Sequence, residues 1–304
     1  MKVLIAGATG FVGTHLTNFL RRAGHDTEVV SRRPHLGIDW DPDALRAGVE
    51  CVDAVVHLAG AGIFDRRWSQ AYRREILESR VDTTCMLAEA CVAVGGRRLV
   101  SSSAVGYYGA RDMTEVGEDE PAGDDFLAGV CAAWERALDP AREAGSSTVC
   151  VRIGVVLGSD GGALLRMKLP FRLGLGGALG SGRQPFSWVH VTDLCRLFLV
   201  LLEHPELEGA FNGVAPGCVE QREFARILGK VLHRPAFLHT PGVALRLALG
   251  GVAEVLLSGQ NAVPRRALEA GFVFEYPELR GALESLVGEK AEVVRVPKRP
   301  RGGV

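Results

Sequence analysis

The sequence predicts an α/β protein: a doubly wound parallel sheet carrying a smaller, helix-rich C-terminal domain. Three observations carry that prediction. Short continuous apolar runs such as Val3-Leu4-Ile5-Ala6 alternate with segments whose apolar residues recur at helical spacing. Glycines punctuate the junctions between the two. The alternation repeats at the spacing of βαβ units, which places the strands parallel and the helices on both faces.

The elements follow in order. Val3 to Ala6 has no polar alternation and reads as a strand buried on both faces. Val12, Leu16, Phe19, Leu20 and Ala23 then mark a helix, and Gly24 stands where it stops. Glu28-Val29-Val30 and Ala54 to Leu58 are the next strands. A helix over about 69–93 leads to a strand at Arg98-Leu99-Val100-Ser101. Another helix is expected over 126–144 and a strand over 149–156. The glycine-rich stretch 161–185 is expected to be a long surface connection. Ser187 to Val191 returns as a strand, followed by a helix through Val200. From Val214 the chain is helix-rich, with breaks at Pro235, Pro241, Pro264 and Pro277. Val243 to Leu257 is strongly apolar but holds Arg246, Glu254 and Gly250-Gly251, so it reads as a packed helix, not a membrane span. Residues 289–304 are basic and expected to form a flexible tail.

Composition narrows the classes of function. The 304 residues carry 35 basic and 36 acidic side chains, so the basic excess of a nucleic-acid binder is absent. Hydrophobic residues are 47% and charged residues 23%, as in a soluble globular protein. The seven cysteines (51, 85, 91, 131, 150, 195 and 218) are odd in number and form no CxxC pair. Neither a disulfide framework nor a metal site is expected; reduced thiols in a cytoplasmic protein are. The apolar run before the first glycine is too short for a signal-peptide core. The expected partner is a small-molecule substrate, with neither nucleic acid nor membrane. No feature of the sequence indicates an oligomeric state.

Gly7-Ala8-Thr9-Gly10-Phe11-Val12-Gly13 joins the first strand to the first helix. Gly7 permits a tight turn, Gly10 lets the backbone approach a pyrophosphate, and Gly13 lets helix and strand pack closely. The phosphates then meet free N–H groups at the positive end of the helix dipole. Gly7, Thr9, Gly10, Phe11, Val12 and Gly13 are therefore candidate dinucleotide contacts. An NAD site usually ends its second strand on a carboxylate. Here Ser31-Arg32-Arg33-Pro34 follows, with no carboxylate until Asp39. Arginine grips a 2′-phosphate through its forked donors, so NADP(H) is the expected cofactor, with Arg32 as clamp and Ser31 as helper. On this reading 1–157 plus 187–213 form the dinucleotide-binding domain, and 158–186 plus 214–288 the substrate domain.

With these residues in place, the chain resembles the extended short-chain dehydrogenases of the NAD-dependent epimerase/dehydratase family. His57-Leu58-Ala59-Gly60 is similar to the family motif along the adenine ribose, and Ser101-Ser102-Ser103 with Tyr108-Gly109 to its serine-rich strand end. Arg152 to Gly158 resembles the segment beside the nicotinamide, and Trp188 to Asp193 the strand re-entering the nucleotide domain. The resemblance spans about residues 1–288. It is closer still to a divergent NADP-binding subgroup with a C-terminal domain of unknown function, through Leu169 to Gly177, Asn212 to Pro216 and Ala270-Gly271-Phe272. It implies cofactor contacts from Leu58, Ala59, Gly60, Arg80, Arg152 and Gly154. Arg80 stands where the family has an asparagine, and its cation would hold an anion of the substrate or the cofactor.

The family's catalytic unit is Tyr-x-x-x-Lys, in which lysine lowers the phenol pKa and a serine orients the reacting oxygen. In this chain no lysine lies four residues after a tyrosine. Alignment on Ala132-Ala133-Trp134-Glu135 puts Leu127 at the tyrosine position and Cys131 at the lysine position. Ser103 and Tyr107 are the remaining catalytic candidates, Tyr108 matching the family's structural tyrosine. Arg66-Arg67-Trp68 and Arg183 are secondary candidates for holding an anion, whereas Glu135 and Asp125 are expected to make structural bonds. The sequence thus points to an NADP(H)-dependent oxidoreductase or epimerase-like enzyme on a small, polar, anionic substrate. The alternative is a pseudoenzyme that binds NADP(H) and reports its redox state.

Overall fold

The structure, a computed structural model, describes residues 1–288; the expected basic tail lies outside the described residues. In chain order the first half runs β1 (Lys2–Ala6), α1 (Phe11–Arg22), β2 (Asp26–Val30), α2 (Pro42–Glu50), β3 (Ala54–His57), α3 (Gln70–Ala93), β4 (Arg98–Ala104), β5 (Glu115–Val116), α4 (Phe126–Arg136), α5 (Asp139–Glu143), β6 (Thr148–Ile153) and β7 (Val155–Leu157). The second half runs α6 (Gly162–Arg172), β8 (Gly177–Leu179), β9 (Pro185–Phe186), β10 (Trp188–His190), α7 (Val191–Glu203), β11 (Gly209–Gly213), β12 (Val219–Glu220), α8 (Gln221–Val231), β13 (Leu238–Thr240), α9 (Gly242–Leu249), α10 (Ala253–Leu257), β14 (Asn261–Ala262), α11 (Arg265–Glu269) and α12 (Leu279–Gly288).

A strand apolar on both faces must lie inside its sheet, and β1 does. The six-stranded sheet has the order β2-β1-β3-β4-β6-β11, with every pair parallel. Side chains alternate across it. Val3 and Ile5 join the core beneath α1 and α7, with Leu16, Leu20, Leu194 and Phe198. Leu4 and Ala6 join the opposite core with Leu45 and Val49 of α2 and Leu87 and Cys91 of α3. The chain leaves β1 for β2 on one side and returns to β3 on the other, so the sheet reverses direction at β1. A crevice opens there at the carboxyl ends of the strands, where such sheets bind ligands. A third core, containing Leu164, Phe171, Phe224, Leu228 and Leu283, lies among α6, α8 and α12. Among the described residues no helix is long and apolar enough to cross a membrane.

Four expectations are corrected. The helix over 126–144 is two helices, because Pro140 cannot continue the hydrogen-bond ladder of α4. The strand over 149–156 divides at Gly154: β6 stays in the main sheet while β7 pairs β10. A Cβ at position 154 would lie 2.7 Å from the Ser187 carbonyl oxygen, so only glycine permits this change of sheet. The supposed connection 161–185 contains α6 and β8; its glycines flank the helix, and Leu164 and Phe171 anchor it. The apolar run 243–257 is not a packed helix. It is α9, a 3-10 turn and α10, and none of the α9 residues is buried. Sequence reasoning also passed over α2, whose signal is Asp41 before Pro42: the Asp41 carboxylate accepts the Asp43 and Ala44 N–H groups.

Candidate functional site

The glycine loop shows why each glycine is needed. Gly7 has φ +89°, and a Cβ there would lie 2.6 Å from the Leu58 carbonyl carbon. A Cβ at Gly13 would fall 2.1 Å from the Gly7 oxygen, so α1 could not approach β1 so closely. Gly10 differs: its N–H donates to the Gly7 carbonyl (3.0 Å), and a Cβ there would meet only the Gly7 oxygen, at 3.3 Å. Gly10 caps α1 without a side chain, and no acidic residue stands in the first turn. The N–H groups of Phe11, Val12 and Gly13 therefore face the crevice as unspent donors. Thr9 is exposed in the same loop. The Phe11 ring crosses to the start of α6, where side chains at Gly158, Gly161 or Gly162 would come within 2.7 Å of it.

At the same edge, Ser31 follows β2 and is buried, with its Oγ accepting the Arg33 N–H (3.1 Å); Arg32 is exposed. Leu58, Ala59 and Gly60 follow β3, on the other side of the loop. Arg80 of α3 packs on Gly60, where a Cβ would lie 3.2 Å from its Cγ and Cζ. Its Nη1 donates to the Ile76 carbonyl (2.9 Å), and its guanidinium sits 5.1 Å from the Trp134 ring centre. Burial holds the Arg80 pKa below the usual arginine value, offset in part by Cys131 and Tyr72. Among the described residues Arg80 has no carboxylate partner, and the buried Trp134 Nε1 beneath it has no acceptor. The neighbouring His57 is fully buried and bonded to Thr83, Thr84 and Ser101. Burial, and then the Arg80 charge, push its pKa down to about 3, so its imidazole is neutral.

Ser103 stands opposite Arg152 in the β4–β6 register. Its hydroxyl donates to Glu135 Oε1 (2.7 Å). The same carboxylate takes Arg152 Nε and Nη2, each at 2.9 Å. Arg152 Nη1 then donates to the Tyr108 hydroxyl (3.0 Å) and the Glu118 carbonyl (2.9 Å), and Tyr108 donates to Asn212 Oδ1 (2.7 Å). Burial works against the Arg152 charge, but Glu135 and Tyr108 outweigh it and raise its pKa. Burial raises the Tyr108 pKa, against the opposing pull of Arg152 and Asn212. Tyr107 lies beneath the same guanidinium, 3.5 Å from its ring centre to Cζ.

A family model described as the NAD dependent epimerase/dehydratase family matches residues 3–212, and a second, a domain of unknown function, matches 240–286. This chain belongs to the NAD-dependent epimerase/dehydratase family. The mouse epimerase family protein SDR39U1 is 44% identical, over 94% of this chain and all of the relative. The crystal structure of human SDR39U1 (isoform 2) with NADPH superposes with a TM-score of 0.88 at 41% identity, covering 95% of this chain and 99% of that one. A nucleoside-diphosphate sugar epimerase from Corynebacterium glutamicum superposes at 0.79 with 30% identity, over 95% of this chain and 58% of that one.

Within this family member the positions of the missing tyrosine and lysine still face the site. A Cβ on Gly106 would lie 3.6 Å from Leu127 Cβ and 3.9 Å from Cys131 Sγ. Burial pushes the Cys131 thiol up to about 12, so it is neither cation nor thiolate at neutral pH. Arg152 spends its donors on Glu135, Tyr108 and Glu118, and Gly154 marks the change of sheet beside it. Arg66 pairs with Glu75 (3.2 Å), Arg67 Nη2 donates to the Leu247 carbonyl (3.2 Å), and Trp68 Nε1 donates to Ile63 (2.9 Å). Asp125 caps α4 through the Ala128 N–H (2.9 Å). Arg183 lines a surface groove with Arg111 and Ser258, which none of the glycine-loop residues enters. Among the described residues no group of three His, Cys, Asp or Glu could hold a metal ion. Sequence reasoning missed Glu118, Asn212 and Trp134. The only signal for Asn212 was its place on β11, opposite Arg152 of β6; Glu118, two residues after β5, gave none.

Proposed function

We propose that the protein is an NADP(H)-dependent oxidoreductase acting on a small, anionic carbonyl or alcohol substrate. The observation that carries this reading is the open helix N-terminus behind Gly10, flanked by exposed Arg32 where an NAD site would place a carboxylate. The loop and the first turn of α1 would hold the pyrophosphate, with Arg32 and Ser31 beside a 2′-phosphate. When bound, the nicotinamide supplies hydride transfer. Arg80, a partly buried cation without a carboxylate partner among the described residues, would take the substrate's negative group against Gly60. The Ser103 hydroxyl donates its hydrogen bond to Glu135, so toward a substrate it offers a lone pair and orients a hydroxyl. Tyr107 or water then handles the proton. Reduction needs a bound proton donor less strictly than oxidation needs a base, which favours a reductase over an epimerase. The nucleotide domain is read as 1–157 plus 187–213, the remainder to 288 as the substrate domain. The seven free cysteines support a reducing compartment such as the cytoplasm.

Titration with NADPH and NADH tests the reading. NADPH should bind at least about tenfold more tightly, and Arg32→Ala should erase most of that preference. Equal affinities, or no binding, would overturn it. A second reading, an NADP(H)-binding redox reporter without turnover, is favoured by Leu127 and Cys131 at the catalytic positions and by Ser103 being engaged with Glu135. The two separate on Ser103→Ala, which lowers turnover in an enzyme and leaves cofactor affinity unchanged in both.

A further inference from the structure

Acidic residues are unevenly spread along this chain. It holds 36 of them, yet none falls between Asp160 and Asp193 or between Glu223 and Glu254. The fold joins these two stretches. β8 pairs β13 with Gly177 opposite Leu238, and the Leu238 N–H donates to the Gly176 carbonyl. The segments entering the two strands therefore lie side by side, and both carry apolar side chains turned to solvent: Leu173 is 66% exposed, Leu175 59% and Phe237 76%. Beside them, the last turn of α8 and the residues after it form a shallow hollow of about 560 Å³. Arg226, Lys230, His233, Arg234 and Phe237 line it, and among the described residues no carboxylate does. α9, which follows β13 after Pro241, also turns apolar side chains to solvent: Val243 and Leu247, one turn apart, are 66% and 77% exposed.

Some of the surrounding cations are already neutralised. Arg226 pairs with Glu223, which also feels Lys230 and Arg280, Arg246 pairs with Glu254, and Arg166 with Asp65. Arg172, Lys230 and Arg234 have no ion pair among the described residues. An apolar patch of this kind on a soluble chain marks a binding surface. A second copy of the chain fits poorly, because a two-fold interface would set the same cations against one another. Leucine and phenylalanine tips interleaved with arginine and lysine instead match an anionic bilayer. The tips enter the acyl boundary while the cations meet the phosphates.

We propose that the face formed by Arg172–Leu175, the end of α8, Phe237 and α9 docks peripherally on an anionic lipid membrane. Co-sedimentation of the full chain with vesicles tests this, comparing equimolar phosphatidylcholine and phosphatidylglycerol with phosphatidylcholine alone. Binding is expected to the anionic vesicles only, and to weaken as salt is raised. Lys230→Glu with Arg234→Glu, and separately Phe237→Ser with Leu247→Ser, should each lower partitioning at least about tenfold. Thermal unfolding of the variants shows that the fold is retained. Equal binding to both vesicles, no binding, or variants that bind like the parent would each overturn the proposal. So would a solution dimer that Phe237→Ser dissociates, which would make the face a contact between copies.

Discussion

Removing Arg152 should be the most damaging single change near the site. Its ion pair with Glu135 is bidentate, and the two side chains are only 5% and 12% exposed. Arg152→Met leaves the Glu135 carboxylate in the interior with only the Ser103 hydroxyl, and strips partners from Tyr108 and the Glu118 carbonyl. Breaking a buried pair from one side costs about 3–5 kcal/mol, since the remaining charge is uncompensated. That is a large share of the ~5–15 kcal/mol stability of a typical domain. The comparison is Arg226→Met, whose partner Glu223 shares a pair 49% and 38% exposed. There the loss should stay below about 1 kcal/mol. Urea unfolding followed by circular dichroism measures both, as shifts in midpoint at unchanged slope. Glu135→Gln combined with Arg152→Met should recover part of the loss, because no buried charge is then left alone. A cost below about 1 kcal/mol for Arg152→Met, or no recovery in the double variant, would refute the account of this network as a mutually dependent unit.

Other outcomes follow from single distances and shifts. Gly10→Ala should fold normally, since the protein offers its Cβ only the Gly7 oxygen at 3.3 Å, yet lose about tenfold or more in NADPH affinity by titration. Gly13→Ala, with its Cβ 2.1 Å from the Gly7 oxygen, should lower the unfolding midpoint as well. Burial depresses His57 to about 3 and His190 to about 4. The unfolded chain therefore binds protons below about pH 6.5 that the folded chain refuses, and stability falls on acidification toward pH 4. His57→Gln should flatten that slope by up to about 1.4 kcal/mol per pH unit, measured by urea midpoints across pH 4 to 7. Alkylation with iodoacetamide in the native state should label Cys51, the exposed thiol, well before Cys91, Cys131, Cys150 and Cys195, which burial raises to about 12. Mass spectrometry of the peptides reads the order.

The sheet was legible because its signals are local. The apolar run of β1 and the helical spacing of Val12, Leu16 and Leu20 each lie within one segment, and so does the glycine loop between them. Errors arose where periodicity gives the element but not its cover. α9 has the apolar content of a core helix, yet nothing in Val243 or Leu247 says that no neighbour lies over them. α6 was hidden for the opposite reason, because the glycines on either side of it suggested a loop. The reaction centre was the least readable part. Ser103 with Tyr108, Glu135, Arg152 and Asn212 come from four separate stretches, and their hydrogen bonds exist only once β4, β6 and β11 are set side by side. Alignment could say that Leu127 and Cys131 replace a catalytic pair. It could not say that the Ser103 hydroxyl donates a hydrogen bond to Glu135.

Phe11 has a consequence for how such a sequence can drift. Its ring lies against Gly158, Gly161 and Gly162, so near that a methyl group at any of the three would overlap it. The size of residue 11 is thus coupled to positions some 150 residues further along the chain. Exchanging Gly158 or Gly161 requires the Phe11 ring to move or residue 11 to shrink, whereas Gly162, at φ +66° and 3.3 Å from the Val156 oxygen, favours glycine whatever stands at position 11.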